Sequence, residues 1–151
     1  MTLIKSFAQA LLRESFKGDV ISSLAHMVAY ASDNSPYFIK PDLVLYPKNE
    51  ADIVIVLSCL KQSVFKSISL TVRGGGTGTN GQSLNKGIIC DVTRYMNRLL
   101  QLDLEHEIVT IQPGIVLDEL NKELKKHGYF FPPNLSPSNR ATLGGMINTD
   151  A

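Results

Sequence analysis

The sequence predicts an α+β fold, and three of its features carry that prediction. Residues 43–46 form a short apolar run, an apolar helical pattern follows over about 50–62, and a second apolar run occupies 68–72. A strand, a helix and a strand in this order make a βαβ unit, whose strands normally run parallel. Two further apolar runs, 99–103 and 108–112, are close enough in sequence to pair as an antiparallel hairpin. The pattern therefore changes from βαβ to hairpin near residue 95.

The amino-terminal residues predict two helices. Apolar residues recur at helical spacing over 3–16, and Gly18 ends that pattern. Asp19 can cap a second helix, which would run on towards the polar turn at 30–37. The apolar residues of this second helix are Val20, Ile21, Leu24, Ala25 and Val28.

The later elements have clear boundaries in the sequence. Pro47 ends the first strand of the βαβ unit, and Asn49 can cap its helix. We expect the apolar face of that helix to lie in the core, namely Ile53, Val54, Val56, Leu57 and Leu60. After the hairpin, Gly128 ends another helix, and a proline-rich loop follows over 131–138. The apolar stripe of this last helix consists of Val116, Leu117, Leu120 and Leu124.

Composition limits the classes of function. With 44% hydrophobic residues and a net charge of +1, the chain offers no electrostatic reason to expect nucleic acid or an anionic membrane as a partner. No apolar run approaches the roughly 18 residues that suggest a transmembrane segment. Cys59 and Cys90 lie in a predicted helix and a predicted strand, where reduced core thiols are expected rather than a metal site. The chain stops inside an apolar, glycine-bearing segment, which predicts an amino-terminal piece of a longer protein.

The strongest functional signal is the glycine-rich segment after the strand at 68–72. It begins at Arg73, and its glycines are Gly74, Gly75, Gly76, Gly78 and Gly81. Glycine lets the backbone approach a ligand closely and present several N–H groups, which suits a phosphate or pyrophosphate. Arg73 is either a phosphate ligand or part of an internal salt bridge. A surface turn without a ligand is the alternative interpretation.

Two common phosphate-binding motifs fit this segment poorly. Residues 76–81 match G-x-G-x-x-G, but 82–87 lead directly to another strand and leave no room for the helix that a dinucleotide fingerprint needs. Residues 76–83 nearly match a P-loop, but Gln82 occupies the position of the required lysine. A nicotinamide site and a nucleoside triphosphatase are therefore weaker interpretations than a loop that holds a pyrophosphate through backbone amides.

Other polar residues give weaker signals. Thr142 precedes two glycines at a predicted helix start, so it could approach the same ligand, or it could simply cap the helix. Asp33 and Ser35 suit a turn better than catalysis. The histidines are far apart in sequence and lack metal-ligand spacing, namely His26, His106 and His127. Three carboxylates fall on a solvated helix face and receive no acid–base role, namely Asp118, Glu119 and Glu123.

Five motifs follow one another along about residues 30–151. They are Pro41 to Pro47 before a helix, Val72 to Gly78, Ile89 to Val92, Val109 to Gly114 with Leu120-Asn121, and Ala141 to Gly145. In this order they resemble the FAD-binding domain of the vanillyl-alcohol oxidase / p-cresol methylhydroxylase superfamily. Within it, residues 30–35 and 139–151 are most similar to the bacterial D-2-hydroxyacid dehydrogenases, long flavoproteins resembling D-lactate and D-2-hydroxyglutarate dehydrogenases.

The resemblance implies a two-lobed FAD-binding domain of p-cresol methylhydroxylase type, with a βαβ-containing first lobe and a second lobe of antiparallel sheet with helices. We expect an amino-terminal helical segment over 1–36, the first lobe over 37–95, and the start of a truncated second lobe over 96–151. The implied FAD-binding residues are Arg73, Gly74, Gly75, Gly76, Thr77, Gly78, Gly81, Gln82, Ser83, Thr142, Gly144 and Gly145. Some relatives attach FAD through a histidine in this loop; here 73–83 contain no histidine or cysteine, so non-covalent FAD is expected.

The resemblance also implies an activity for the parent protein, an FAD-dependent oxidoreductase that converts a D-2-hydroxy acid such as D-lactate or D-2-hydroxyglutarate to the 2-oxo acid. Electrons would pass to a quinone or another acceptor. The family places the catalytic base in the missing carboxy-terminal part, where some members also carry an iron–sulfur cluster, so the chain alone is expected to be inactive. A cytoplasmic location is expected, with peripheral attachment to the inner membrane left open.

Other interpretations remain alongside this one. The first is a non-catalytic nucleotide- or phosphate-binding module, which would prefer any ADP-containing ligand over FAD. A structural fragment without a ligand is another. A reductase acting on a sugar nucleotide shares the fold, although residues 139–151 argue against it.

Overall fold

The computed structural model describes residues 2–150 and has mixed helices and strands, as the predicted α+β class requires. The elements in chain order are α1 Leu3–Arg13, β1 Asp19–Ile21, α2 Leu24–Ala29, β2 Leu43–Tyr46, α3 Glu50–Leu60, a 3-10 helix Ser63–Phe65, β3 Leu70–Arg73, β4 Ile88–Asp91, β5 Leu99–Asp103, β6 Ile108–Ile111, α4 Leu117–Lys125 and α5 Leu143–Thr149.

The strands form two sheets. One sheet has the spatial order β1-β2-β4-β3, with β4 parallel to both of its neighbours and β1 antiparallel to β2. The predicted βαβ unit is present, because α3 connects β2 to β3 and both run in the same direction, but β4 lies between them. The other sheet is the predicted antiparallel hairpin of β5 and β6.

The prediction of a second helix starting at Asp19 is wrong. Residues 19–21 form β1, in which Asp19 pairs with Tyr46 and Ile21 pairs with Val44. Two β-branched residues favour a strand, and the open edge of β2 provides backbone partners that a sequence pattern does not reveal. Helix α2 begins only at Leu24.

Helix α3 begins as predicted but buries a different face. The Asn49 side chain accepts a hydrogen bond from the Asp52 amide at 3.1 Å, which confirms the cap. Val54 and Leu57 were expected in the core, yet they are 61% and 46% exposed. The buried residues of α3 are Asp52, Val56 and Cys59. The helix is apolar on most sides, so periodicity could not locate the face that packs.

Asp52 is a buried carboxylate that joins two loops. It is 1% exposed, and its two oxygens accept hydrogen bonds from the amides of Lys17 at 2.9 Å and Lys48 at 2.8 Å. Each amide would otherwise lack a partner beside the core, which is costly. The carboxylate therefore fixes the chain before β1 against the loop between β2 and α3.

The core consists of two clusters. The first packs α1 and α3 on the four-stranded sheet, and its buried members are Phe7, Leu11, Phe16, Leu43, Leu45, Val56, Cys59, Phe65 and Ile88. The second packs α4 and α5 against the hairpin, and its buried members are Ile115, Leu117, Leu120, Leu124, Ala141, Leu143 and Met146. The predicted stripe of α4 is thus largely confirmed, while the proposed domain bounds stay a prediction.

Candidate functional site

The glycine loop, residues 74–87, connects the parallel strands β3 and β4. It leaves the carboxyl end of β3, and the crevice outside the carboxyl ends of parallel strands is the usual ligand site of α/β sheets. The loop contains no helix, as the sequence predicted. Gly76 and Gly81 have φ values of +64° and +73°, a conformation that favours glycine.

The amides of residues 74–79 are the unusual feature of this loop. Within residues 2–150, none of these backbone N–H groups donates a hydrogen bond to another residue. Backbone N–H groups in folded proteins nearly always have a partner, whether protein, water or ligand. Successive amides without a protein partner can therefore be satisfied by the oxygens of an anion.

A cleft of about 280 Å³ lies between the glycine loop and the start of α5. The predicted site residues that line it are Gly74, Gly75, Gly76, Thr77, Gly78, Gln82, Ser83, Thr142 and Gly145. Three predicted residues are not in this lining, namely Arg73, Gly81 and Gly144. The structure therefore brings both predicted segments together around one cleft, although their contact with FAD stays a prediction.

The glycine loop reaches the far side of the cleft because Gly74 and Gly75 lack side chains. A Cβ atom on Gly74 would overlap the Thr142 hydroxyl, and a Cβ atom on Gly75 would overlap the carbonyl oxygen of Arg140. These two glycines serve the packing of protein against protein, and their amides remain available to a ligand.

Thr142 caps α5, and the cap uses groups that were expected to bind the ligand. The Thr142 hydroxyl accepts a hydrogen bond from the Gly145 amide at 3.4 Å. The Gly144 amide donates to the carbonyl of Pro113 at 2.9 Å. Both amides therefore already have partners inside the protein, and the amides of 74–79 are the stronger candidates for binding an anion.

Ser83 and Gln82 stabilise the end of the loop. The Ser83 hydroxyl donates to Asp33 at 2.8 Å, so its hydrogen points away from a ligand in the cleft. The Gln82 side chain accepts from the Asn80 amide at 3.1 Å and packs against Gly78. These side chains shape the loop, whereas a P-loop lysine would bind phosphate itself.

Asp33 occupies a turn, as predicted, and accepts a hydrogen bond from the Ser35 amide at 2.8 Å. Burial alone would raise the pKa of Asp33, but hydrogen bonds from Ser35 and Ser83 and the charge of Arg73 hold it below its usual value. The Asn34 amide also donates to the Gly76 carbonyl at 3.2 Å. The turn at 30–37 thus supports the glycine loop through Asp33 and Asn34.

Arg73 contacts backbone carbonyls and an aromatic ring rather than a carboxylate, and its role as a phosphate ligand stays a prediction. Its guanidinium donates to the carbonyls of Ser32 at 2.9 Å and Tyr30 at 3.4 Å, and it lies 5.0 Å from the centre of the Tyr30 ring. It lines a second cleft of about 340 Å³ together with Gly76, Thr77 and Arg140. Within residues 2–150 it forms no salt bridge.

Sequence reasoning missed the polar network beneath Arg73. Asp91 is 3% exposed, and it accepts hydrogen bonds from the Tyr30 hydroxyl at 2.6 Å and from the Thr93 amide and hydroxyl at 2.7 and 2.6 Å. Tyr46 donates to the Tyr30 hydroxyl at 2.9 Å. A signal was available, because Asp91 is a charged residue at the end of an otherwise apolar strand.

Neither cysteine lies in the lining of the cleft. Cys59 and Cys90 are free and buried, in agreement with the prediction. No group of three or more histidine, cysteine or acidic residues in the described part of the chain could hold a metal ion. Between residues 2 and 150, none of the helices has the length and apolar character needed to cross a membrane.

The fold that places the glycine loop beside the start of α5 is shared with a known class of protein. Residues 41–151 match the family model described as an FAD binding domain, and the chain belongs to that family. Solved structures share the fold, including an alkyldihydroxyacetonephosphate synthase, with a TM-score of 0.81 and 21% identity over 97% of this chain and 32% of that one. A xylooligosaccharide oxidase from Myceliophthora thermophila C1 has a TM-score of 0.71 and 20% identity over 92% of this chain and 29% of that one.

Much more similar sequences occur among curated proteins. A D-2-hydroxyglutarate dehydrogenase of Pantoea ananatis is 49% identical over 148 residues, which are 98% of this chain and 14% of that protein. The D-2-hydroxyglutarate dehydrogenase of Escherichia coli strain K12 is 48% identical over 149 residues, 99% of this chain and 15% of that protein. The chain therefore spans about one seventh of the length of these relatives.

Proposed function

We propose that this chain holds the pyrophosphate of non-covalent FAD with the backbone amides of residues 74–79. The observation that carries the proposal is that these amides line a cleft without a partner among the described residues. Membership of the FAD-binding family supports FAD as the source of the anion. Amide donors match phosphate oxygens well and add no titratable charge to the site.

The parent protein is, in this proposal, an FAD-dependent oxidoreductase that converts a D-2-hydroxy acid to the 2-oxo acid. Support comes from relatives named D-2-hydroxyglutarate dehydrogenase that are about half identical over nearly the whole chain. The bound flavin would supply the hydride-accepting chemistry. This chain's share would be to bind and orient it. A quinone or other electron acceptor, an iron–sulfur cluster in the remainder of the protein and an attachment to the inner membrane belong to the same proposal.

We expect the chain alone to bind but not to catalyse. Oxidation of a hydroxy acid needs a group that removes the hydroxyl proton, and the residues lining the cleft include no aspartate, glutamate, histidine or lysine. Turnover of D-lactate or D-2-hydroxyglutarate by the FAD-loaded chain would contradict this expectation.

The test of the proposal is a titration of this chain with FAD, followed by flavin fluorescence, with ADP, FMN and NAD as competitors. Saturable binding that ADP displaces and NAD does not would support a pyrophosphate site for FAD. Gly128→Ala is the control for substitutions of glycines in the glycine loop. Gly128 follows α4 and is not in the lining of the cleft, and a Cβ atom there meets nothing within 4 Å. No binding by the chain, and none by a chain extended past residue 151, would reject the proposal.

The second candidate is a nucleotide-binding module without chemistry. It is favoured by the same absence of a titratable side chain in the lining of the cleft. Backbone amides recognise phosphate oxygens and do not by themselves distinguish FAD from other ADP-containing ligands. ADP binding at least as tight as FAD binding, also in the extended chain, would favour this candidate.

A further inference from the structure

Arg73 and Asp91 are opposite charges placed side by side by the sheet. They end the neighbouring parallel strands β3 and β4, and they are partners in the register. Paired residues of neighbouring strands project from the same face, so an ion pair between them is the expected arrangement. Within the described residues no such pair forms.

Tyr30 takes the place of that ion pair. Its hydroxyl donates to Asp91 at 2.6 Å, while its ring lies under the Arg73 guanidinium and its carbonyl accepts from Arg73. The remaining oxygen of Asp91 is occupied by Thr93. Burial and the hydrogen bond to Asp91 raise the pKa of Tyr30, so the phenol keeps the proton that it donates.

Because Asp91 is already satisfied, Arg73 can turn towards the glycine loop. A Cβ atom on Gly76 would lie 2.6 Å from the Arg73 Nη2 atom, so the guanidinium packs directly against the Gly76 backbone. The neighbouring Asn34 amide donates to the Gly76 carbonyl at 3.2 Å. Gly76, the third residue of the 74–79 segment, is thus contacted by both Arg73 and Asn34.

We propose that Tyr30 is a positioning residue of the FAD site: it occupies Asp91 and thereby holds Arg73 beneath Gly76, which fixes the amides of 74–79 towards the ligand. This inference rests on the proposed function for its ligand. Arg73 itself acts from beneath the loop and is no ligand of the pyrophosphate.

The first test is amide hydrogen exchange of the ligand-free chain. Tyr30→Phe keeps the ring but leaves a buried oxygen of Asp91 without its donor, and Arg73, the register partner of Asp91, is a cation that can take the place of that donor. We expect exchange of the Asn34 amide to become about tenfold faster, while the Gln112 amide, bonded to Arg98 at 2.8 Å in another part of the chain, is unchanged. Tyr46→Phe is the matched control, since it removes one hydroxyl of the same network that contacts neither Asp91 nor Arg73. Equal exchange at Asn34 in wild type and Tyr30→Phe would overturn the proposal.

The second test is the affinity for FAD and for ADP. We expect Tyr30→Phe to weaken both by about tenfold and Tyr46→Phe by less than about twofold. In an Arg73→Gln background, Tyr30→Phe should have no further effect, because Tyr30 acts through Arg73. The same loss in both backgrounds would show a general structural role and reject the inference. Failure of both this chain and a chain extended past residue 151 to bind either ligand would reject the proposed function, while the exchange experiment still decides the role of Tyr30.

Discussion

Gly75→Ala tests whether the cleft depends on close contact between the glycine loop and the segment before α5. A Cβ atom on Gly75 would overlap the carbonyl oxygen of Arg140. That oxygen cannot move aside as a side chain would, because the amides of Arg140 and Ala141 both donate to the Pro137 carbonyl at 2.8 Å. The Ala141 carbonyl is itself fixed by the Leu117 amide at 3.0 Å.

Relief of the overlap therefore requires the two segments to separate. Overpacking of a close contact costs about 1–3 kcal/mol, and we expect about 2–3 kcal/mol here because the obstacle is backbone. The same separation would widen the cleft and displace the free amides from Thr142. We expect the affinity for FAD to fall about tenfold or more. Urea unfolding measures the first effect, and fluorescence titration with FAD measures the second.

Gly128→Ala is again the control for this substitution. Gly128 has a φ of +81°, and a Cβ atom there meets nothing within 4 Å. We expect a backbone penalty of about 1 kcal/mol and an unchanged affinity for FAD. Wild-type stability and affinity in Gly75→Ala would refute the reasoning, as would an equal loss of affinity in both variants.

Three further predictions concern Asp52, Asp33 and the two cysteines. Asp52→Asn should lower the free energy of unfolding by about 2–3 kcal/mol, because an amide offers one acceptor oxygen to the N–H groups of both Lys17 and Lys48; an unchanged urea midpoint would contradict it. The pKa of Asp33 is lower in the folded state than in the unfolded state, where it is about 4. The ionised Asp33 side chain therefore stabilises the fold above about pH 4, and this stabilisation is lost as the pH falls through the folded-state pKa. Ser83→Ala should make this acid loss shallower in thermal unfolding below about pH 5, and identical profiles would oppose it. Burial raises the pKa of the Cys90 thiol to about 12 and also raises that of Cys59, so neither should react with a thiol reagent at neutral pH before unfolding; rapid labelling of either would contradict this.

The sequence predicted those elements whose ends carry local chemistry. Pro47 ends β2, Asn49 caps α3, and Gly128 follows α4, and each acts through its own backbone or side chain. The hairpin of β5 and β6 was predictable because its partners are adjacent in sequence. The glycine loop was located for the same reason, since its composition is local.

Several features that the sequence did not predict depend on contacts between distant segments. Strand β1 exists because residues 19–21 find the free edge of β2, and nothing in those three residues identifies that edge. Burial of Asp52 depends on amides at positions 17 and 48. The direction of Arg73 depends on Tyr30, which precedes it by 43 residues. A periodicity or a motif contains no information about such partners.

The same limit explains why glycine content alone could not assign the site. A missing side chain can make room for a ligand or for another part of the protein, and the two cases look identical in a sequence. Here Gly74 and Gly75 make room for Thr142 and Arg140, while their amides stay free. Substitution of either glycine therefore disturbs packing and binding together. Only a change that leaves the packing intact, such as removal of the Tyr30 hydroxyl beneath Arg73, can separate the orientation of the amides from the integrity of the fold.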